Sequence, residues 1–160
     1  MPGRGATLGN TILLLENEPA VRTNMTAGLT AAGFHVIPAD HPEEVWTVLE
    51  TQPEVQVLLT DLDAYRGTDG LEMTRKVHSR WPSLGLVITS ERIRHVAPDD
   101  VPGDGCFIPR PIPLETLLQE VRLVARREQV SAGQPLFHLL PVEELSRTVA
   151  TARAVSSLRA

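Results

Sequence analysis

The stretch Thr11-Ile-Leu-Leu-Leu-Glu-Asn-Glu-Pro19 contains an apolar run that stops abruptly at a polar cluster, which is followed at once by a proline. Consecutive aliphatic residues without alternation predict a short strand that is buried on both faces of a sheet. Pro19 suits the first turn of a helix, where no backbone N–H is needed, and Asn17 or Glu18 can cap that helix. The stretch therefore predicts a buried strand whose polar carboxyl end leads directly into a helix.

A second stretch, Val55-Gln-Val-Leu-Leu-Thr-Asp61, repeats this pattern and ends in an acid. Open α/β sheets bind their ligands at the carboxyl ends of parallel strands. Two strand ends that carry acids on one sheet edge indicate a site for a divalent cation.

Short aliphatic runs alternate with amphipathic stretches along the chain. Strands are predicted at Ile12–Leu15, Phe34–Ile37, Val55–Thr60, Leu84–Thr89 and Cys106–Ile108. Apolar residues at helical spacing predict helices between these strands, and the clearest stripe starts at Leu114. This alternation predicts an α/β fold, a doubly wound parallel sheet of five strands covered by helices on both faces.

The segment 90–105 departs from this alternation, because Pro98 and Pro102 exclude a full helix there. We expect at most one or two helical turns after Ser90, followed by irregular loop.

The pattern changes again after Arg127. Ser131–Pro135 reads as a linker, and apolar residues at spacings of three and four predict a further C-terminal helix that runs from Pro141 to about Leu158. This helix is expected either to fold back on the main domain or to form a homodimer or partner interface. Too few residues remain for a separate effector domain. The predicted organisation is a flexible tail at 1–10, one main domain at 11–128, and a linker plus C-terminal helix at 129–160.

Composition narrows the classes of function. The chain has 160 residues and a formal net charge of -5, which gives no general attraction to nucleic acid or to an acidic membrane surface. No apolar run approaches the roughly 20 residues that span a bilayer. Cys106 is the single cysteine, so no intrachain disulfide can form, and a reducing, cytoplasmic location is the expectation.

Four motifs, taken in order and spacing, resemble a bacterial response-regulator receiver domain. They are Ile12–Pro19, Leu58–Asp63 with Asp69–Glu72, Val87–Ser90, and Phe107–Pro111. The resemblance covers the chain from Thr11 to Val124 and is closest to receivers with a Pro-rich loop in place of the fourth helix. It implies a flavodoxin-like sheet with strand order 2-1-3-4-5 and a site at the carboxyl edge.

The resemblance implies phosphoryl chemistry at this edge. Asp61 is implied as the nucleophile that takes a phosphoryl group from a phosphohistidine, while Thr89 and Arg110 bind phosphoryl oxygens. Mg²⁺ is the implied cofactor, since it prefers oxygen ligands. The implied metal ligands are Glu16 (through water), Asn17, Asp61 and the backbone carbonyl of Asp63.

Signalling in the family implies that Phe107 is the switch aromatic, which follows the Thr89 hydroxyl inward on phosphorylation. Phe107 lacks the hydroxyl of the common tyrosine, so its inward state depends on packing alone. Pro111 is implied to follow a cis peptide bond that aims Arg110 toward the site.

Three departures from the family pattern bear on activity. Asn17 stands where a second acid is usual, which removes a ligand charge. The Asp63 carboxylate is expected either to compensate in part or to aim a water at the phosphoryl group and shorten its lifetime. Arg110 replaces the usual lysine with a wide planar cation. Ala64-Tyr65 replaces the usual Met-Pro, for which the sequence offers no explanation.

These observations predict a stand-alone receiver, a switch rather than an enzyme, that takes phosphate from a sensor histidine kinase or phosphotransfer protein and changes a protein–protein interaction. The alternative is a pseudo-receiver, an interaction or dimerisation module with weak or no phosphorylation. Asn17 and Arg110 favour the alternative, whereas Asp61, Thr89 and Pro111 favour the working receiver.

Overall fold

The computed structural model describes residues 10–65 and 69–131, with side chains through residue 126. Within these residues, five strands and four α-helices follow one another along the chain. The strands are β1 (Thr11–Leu15), β2 (His35–Ala39), β3 (Val55–Asp61), β4 (Gly85–Ser90) and β5 (Cys106–Pro109). The helices are α1 (Pro19–Ala31), α2 (Pro42–Thr51), α3 (Gly70–Arg80) and α4 (Leu114–Ser131).

The five strands form one parallel sheet with the order β2-β1-β3-β4-β5. Every predicted strand is present, with small shifts at its ends, and the predicted doubly wound fold and strand order are confirmed. The chain divides into two compact units, Met1–Glu128 and Gln129–Ala160, and the sheet belongs to the first.

Alternate residues of β1 pack on opposite faces of the sheet. Leu13 and Leu15 face a core cluster to which α2 and α3 contribute, whereas Ile12 and Leu14 face a cluster to which α1 and α4 contribute. Because side chains alternate across a strand, a strand covered on both faces needs apolar residues at every position. The unbroken aliphatic run of β1 is therefore the direct sequence signature of a central strand.

Helix α1 starts as its proline predicts, and its N-cap residue is one of the two that the sequence predicts. Glu18 occupies the N-cap position without a capping bond from its side chain. Instead, the Glu18 backbone N–H donates to Oε1 of Glu16 at 3.0 Å. The first turn is thus tied to a carboxylate at the end of β1, which fixes one oxygen of Glu16.

The connection between β4 and β5 contains no α-helix. Its single helical element is a short 3-10 turn at Pro98–Asp100, and no turn of helix follows Ser90 directly. Pro98 starts the 3-10 turn and Pro102 follows its end, as expected for a residue that cannot donate a backbone hydrogen bond. Side-chain hydrogen bonds hold the segment after Ser90, as described below.

Helix α4 continues to Ser131, so it runs past Arg127 and includes the first residue of the predicted linker. The predicted helix from Pro141 to Leu158 lies outside the described residues. Across the described parts of the chain, no helix combines the length and the apolar character that crossing a membrane requires.

Candidate functional site

The carboxyl ends of β1, β3, β4 and β5 converge at one edge of the sheet. Asp61 pairs in register with Thr89, and Ser90 pairs with Pro109, so residues that are distant in sequence become neighbours there. A cleft of ≈ 860 Å³ opens at this edge. Its lining includes Glu16, Asn17, Asp61, Asp63 and Arg110.

Asp61 is a buried carboxylate on the floor of the cleft, with 4% of its surface exposed. Burial raises its pKa to about 6, against the lowering effect of the Asp63 backbone N–H and of the Arg110 charge; the charges of Glu16 and Asp63 raise the pKa further. The Asp63 N–H donates to Oδ1 of Asp61 at 3.0 Å. The Asp61 carboxylate is therefore only partly compensated, a condition that an added cation would relieve.

Glu16 and Arg110 form a buried ion pair between Oε2 and Nη2, with side chains 1% and 11% exposed. Nη2 of Arg110 also lies 3.7 Å from Sδ of Met25, and the peptide bond to Pro111 is cis, as the sequence predicts. The guanidinium is thus directed at Glu16, and it acts on Asp61 only by its charge. Sequence reasoning did not foresee this pairing.

The Asp63 carboxylate accepts two hydrogen bonds from the end of β4. Oδ1 accepts a hydrogen bond from the Ser90 hydroxyl at 2.9 Å, and Oδ2 accepts one from the Glu91 N–H at 2.8 Å. Side-chain oxygens of Glu16, Asp61 and Asp63 do not converge within 4.8 Å of one another. Donors at the end of β4 thus contact both oxygens of the Asp63 carboxylate in this conformation, and its partial compensation for Asn17 at a metal stays a prediction.

Thr89 is fully buried, and its Oγ1 has no hydrogen-bond partner among the described residues. A buried hydroxyl without a partner is costly and unusual, so it marks a position where a ligand oxygen would be favourable. Phe107 is half-buried beside Ile88 of β4 and packs on the core face shared with α2 and α3. It lines a separate groove with Val96 and Val101, outside the cleft of Asp61.

The contacts of Tyr65 explain part of the replacement of the usual Met-Pro by Ala64-Tyr65. Its ring is buried, and its hydroxyl lies 2.8 Å from Oγ1 of Thr60. Burial raises the pKa of Tyr65 to about 12, so the phenol stays protonated. A Cβ at Gly70 would lie 2.9 Å from Cδ2 of Tyr65, so the ring and the start of α3 pack as a matched pair.

Ser90 contributes hydrogen bonds at the edge of the site, and the sequence analysis did not single it out. It is fully buried, and its hydroxyl contacts Asp63 as well as the backbone of the following loop. The available signal was its position directly after Thr89 at a strand end. A serine there is too common to be singled out without the fold.

The oxygen donors of the cleft fit a hard divalent cation. Asp61 offers a carboxylate, Asn17 an amide oxygen and Glu16 a second carboxylate, all on the lining of one cavity. Mg²⁺ prefers oxygen ligands and keeps several waters, so it needs only a few protein groups. The only partly compensated charge on Asp61 supports the same conclusion, whereas the charge on Glu16 is already balanced by Arg110.

The family model described as "Response regulator receiver domain" matches residues 12–122. Among similar proteins, "Response regulator MprA" of Mycobacterium sp. (strain KMS) is 29% identical over 126 residues, which cover 76% of this chain and 53% of that protein. The protein of the same name from Mycobacterium leprae (strain TN) is 28% identical over 155 residues, which cover 92% of this chain and 66% of that protein. The chain thus spans about half of the length of the first of these relatives.

Solved structures give the same fold. A response regulator receiver protein from Sinorhizobium medicae WSM419 superposes with a TM-score of 0.64 at 22% identity, over 75% of this chain and 97% of that one. A CheY-like receiver domain protein from Methanospirillum hungatei JF-1 gives 0.66 at 16% identity, over 77% and 98%. At these identities the likeness concerns the fold alone.

Proposed function

Because this chain belongs to the response regulator receiver domain family, we propose that it accepts a phosphoryl group on Asp61. The donor is a phosphohistidine of a sensor histidine kinase or of a phosphotransfer protein. The observation that carries the proposal is the buried, partly compensated Asp61 carboxylate in a cleft lined by oxygen donors. The chain acts as a signalling switch and not as an enzyme with free turnover.

Mg²⁺ is the proposed cofactor. Asp61, the Asn17 amide oxygen and the Asp63 backbone carbonyl would hold it, with Glu16 contributing through water. When bound, the ion would supply positive charge for the oxygens of the transferring phosphoryl group. Asn17 contributes no charge, so we expect weaker binding than a site with a second acid would give.

The remaining chemistry belongs to residues of the chain. An oxygen of Asp61 attacks phosphorus, the P–N bond to the donor imidazole breaks, and that nitrogen keeps the electron pair and takes up a proton. The product is an acyl phosphate on Asp61. The Thr89 hydroxyl, which has no partner among the described residues, would donate to one phosphoryl oxygen, and Arg110 would neutralise another.

Output from this site is proposed to follow Thr89 and Phe107. Thr89 lies on β4, and Phe107 pairs with the preceding residue, Ile88, on β5. An inward shift of the Thr89 hydroxyl would change the packing of the ring and so the surface of the β4–β5 connection. A protein partner would bind this surface in the cytoplasm, and the chain would form a homodimer through the C-terminal helix predicted from Pro141 to about Leu158.

The pseudo-receiver is the second candidate, and the Glu16–Arg110 pair favours it. This pair balances Glu16, one of the two carboxylates proposed to act at the metal, without any metal. Asn17 adds no charge beside it, so the attraction for a divalent cation is smaller than in a site with three acids. In this case the fold would act through binding, without phosphoryl transfer.

Intact-mass spectrometry after incubation with acetyl phosphate and Mg²⁺ distinguishes the two candidates. We expect a single, labile phosphoryl adduct in the wild type and none in Asp61→Asn. Asn17→Asp is expected to raise the yield, since it adds a ligand charge at the metal. Both variants keep the size of the residue they replace.

A folded wild-type protein that forms no adduct, next to an Asn17→Asp variant that does, would identify a pseudo-receiver. An adduct that persists in Asp61→Asn would place the modification elsewhere and contradict the proposed role of Asp61.

A further inference from the structure

Three consecutive backbone N–H groups after β4 find their acceptors in one small network. The N–H of Glu91 donates to Oδ2 of Asp63 at 2.8 Å. The N–H groups of Arg92 and Ile93 donate to Oγ of Ser90 at 3.1 and 2.9 Å. Because no helix follows Ser90 directly, these groups have no regular backbone partners, and the side chains of Asp63 and Ser90 satisfy them instead.

The Ser90 hydroxyl can accept two backbone N–H groups because it donates its own hydrogen to Asp63. A hydroxyl has one hydrogen to donate and two lone pairs to accept. Its hydrogen goes to Oδ1 of Asp63 at 2.9 Å, which leaves both lone pairs for Arg92 and Ile93. Asp63 therefore fixes the orientation of the hydroxyl as well as the Glu91 N–H.

Asp63 also contacts the proposed phosphoacceptor. Its N–H donates to Oδ1 of Asp61 at 3.0 Å, while its carboxylate holds the Ser90 side chain 27 residues away in sequence. One residue therefore bridges Asp61 and the loop after β4. The loop also carries Ile93, which packs on the same face of the core as Phe107.

We propose that Asp63 is a positioning residue that holds the loop 90–93 in place and couples its conformation to the state of Asp61. Its carboxylate acts on this loop and is not a metal ligand; the metal would see only its backbone carbonyl. The coupling rests on the proposed phosphorylation of Asp61, whereas the holding of the loop does not.

Charge explains why an acid suits this position. Hydrogen bonds to an ionised carboxylate are about twice as strong as neutral ones, and here all the partners are neutral N–H and O–H groups. Asparagine would keep one acceptor oxygen but would turn an NH₂ group toward the other donor. Asp63→Asn should therefore weaken the network and Asp63→Ala should remove it.

Amide hydrogen exchange by NMR in EDTA tests the holding of the loop. We expect exchange at Glu91, Arg92 and Ile93 to become about tenfold faster or more in Asp63→Ala, with a smaller change in Asp63→Asn. Ser90→Ala should expose Arg92 and Ile93 similarly. The double variant should exchange no faster at these two amides than the single variants, because both changes break one network.

Asp69→Ala is the matched control. Asp69 also accepts two backbone N–H groups, those of Leu71 and Glu72, at the start of α3. Its loss should affect these local amides and leave 91–93 unchanged. If Asp63→Ala exchanged like this control at 91–93, the holding role would be overturned.

Two further readouts on the same variants, in buffer without EDTA, test the other claims. The affinity of Asp63→Ala for Mg²⁺ should stay within about threefold of that of the wild type, because the backbone carbonyl is retained. A loss of affinity of about tenfold or more, with the protection of the loop amides intact, would make the carboxylate a metal ligand instead.

In the wild type, Mg²⁺ with beryllofluoride should shift the amide resonances of 91–93, and Ser90→Ala should remove this shift. An undiminished shift in Ser90→Ala would overturn the coupling. If the wild type did not bind the beryllofluoride analogue at all, the proposed phosphorylation would be contradicted, and the coupling with it. The hydrogen-exchange data would still test the holding of the loop.

Discussion

Glu16 and Asp63 lie on either side of Asp61, and the two carboxylates are satisfied in opposite ways. Glu16 is almost fully buried and opposes a charged group, the guanidinium of Arg110. Asp63 is half-exposed and is held by neutral donors at the end of β4. A cation can replace the partner of Glu16, whereas no small ion can replace the backbone and hydroxyl donors of Asp63. On the β1 side of the cleft, a bound cation can therefore replace Arg110 as the partner of Glu16. On the β4 side, Asp63 keeps its partners and fixes the conformation of the loop after β4.

The largest expected effect comes from removing the charged partner on the β1 side. In EDTA, Arg110→Gln should lower the free energy of unfolding by about 3 kcal/mol or more, because it leaves the buried Glu16 charge without its counter-ion. Mg²⁺ should restore part of this loss, and it should bind Arg110→Gln more tightly than the wild type, because the ion no longer competes with the guanidinium. Urea unfolding with and without Mg²⁺ measures both.

Arg75→Gln provides the control for this comparison. Its ion pair with Asp100 is about half-exposed, so the change in unfolding free energy should stay within about 1 kcal/mol. Equal losses in the two variants would mean that Glu16 does not depend on Arg110.

The second effect concerns Asp61, between the two sides. Its pKa rises from 3.8 to about 6 on folding, so the folded protein binds this proton more tightly than the unfolded chain does. The resulting stability is fully present below about pH 4 and is lost as the pH rises through about 6. A shift of about two pKa units corresponds to roughly 3 kcal/mol as an upper bound.

Urea unfolding of the metal-free protein from pH 4 to pH 7 checks this sign. Asp61→Asn should flatten the decline, and at pH 7 this variant should be more stable than the wild type. If the wild type and Asp61→Asn changed in stability by the same amount over this pH range, Asp61 would be ionised without cost in the folded protein. The argument for a cation from its charge would then fail.

The smallest expected effect comes from a neutral hydrogen bond close to Asp61. Tyr65→Phe removes the hydroxyl that lies against Thr60 and should cost about 1 kcal/mol in unfolding free energy. The loss should be equal with and without Mg²⁺, since the phenol stays neutral. A double-mutant cycle with Thr60→Val measures the coupling energy between Tyr65 and Thr60. A coupling energy that changed with Mg²⁺ would mean that this pair responds to the metal as Glu16 and Arg110 do.

The sequence by itself determined the sheet and the placement of the acids. Aliphatic runs without alternation specify strands buried on both faces, and an acid at the end of such a run must lie at the carboxyl edge of a parallel sheet. The place of Asp61 was predictable on this ground, whereas Thr89 and the cis bond before Pro111 followed from the family motif. The two prolines of the segment 90–105 likewise excluded a full helix by a local argument.

Only the tertiary structure decided which partner each carboxylate takes. Glu16 meets Arg110 across 94 residues of sequence, and Asp63 meets Ser90 across 27. Such pairings depend on the register of neighbouring strands and on the direction of side chains, and these leave no periodic signal in the chain. The same reason explains the hydrogen bond of Tyr65 to Thr60 and its packing against Gly70, since a buried hydroxyl selects whichever acceptor the fold brings within reach. Local patterns fix where polar groups emerge, and packing fixes what they contact.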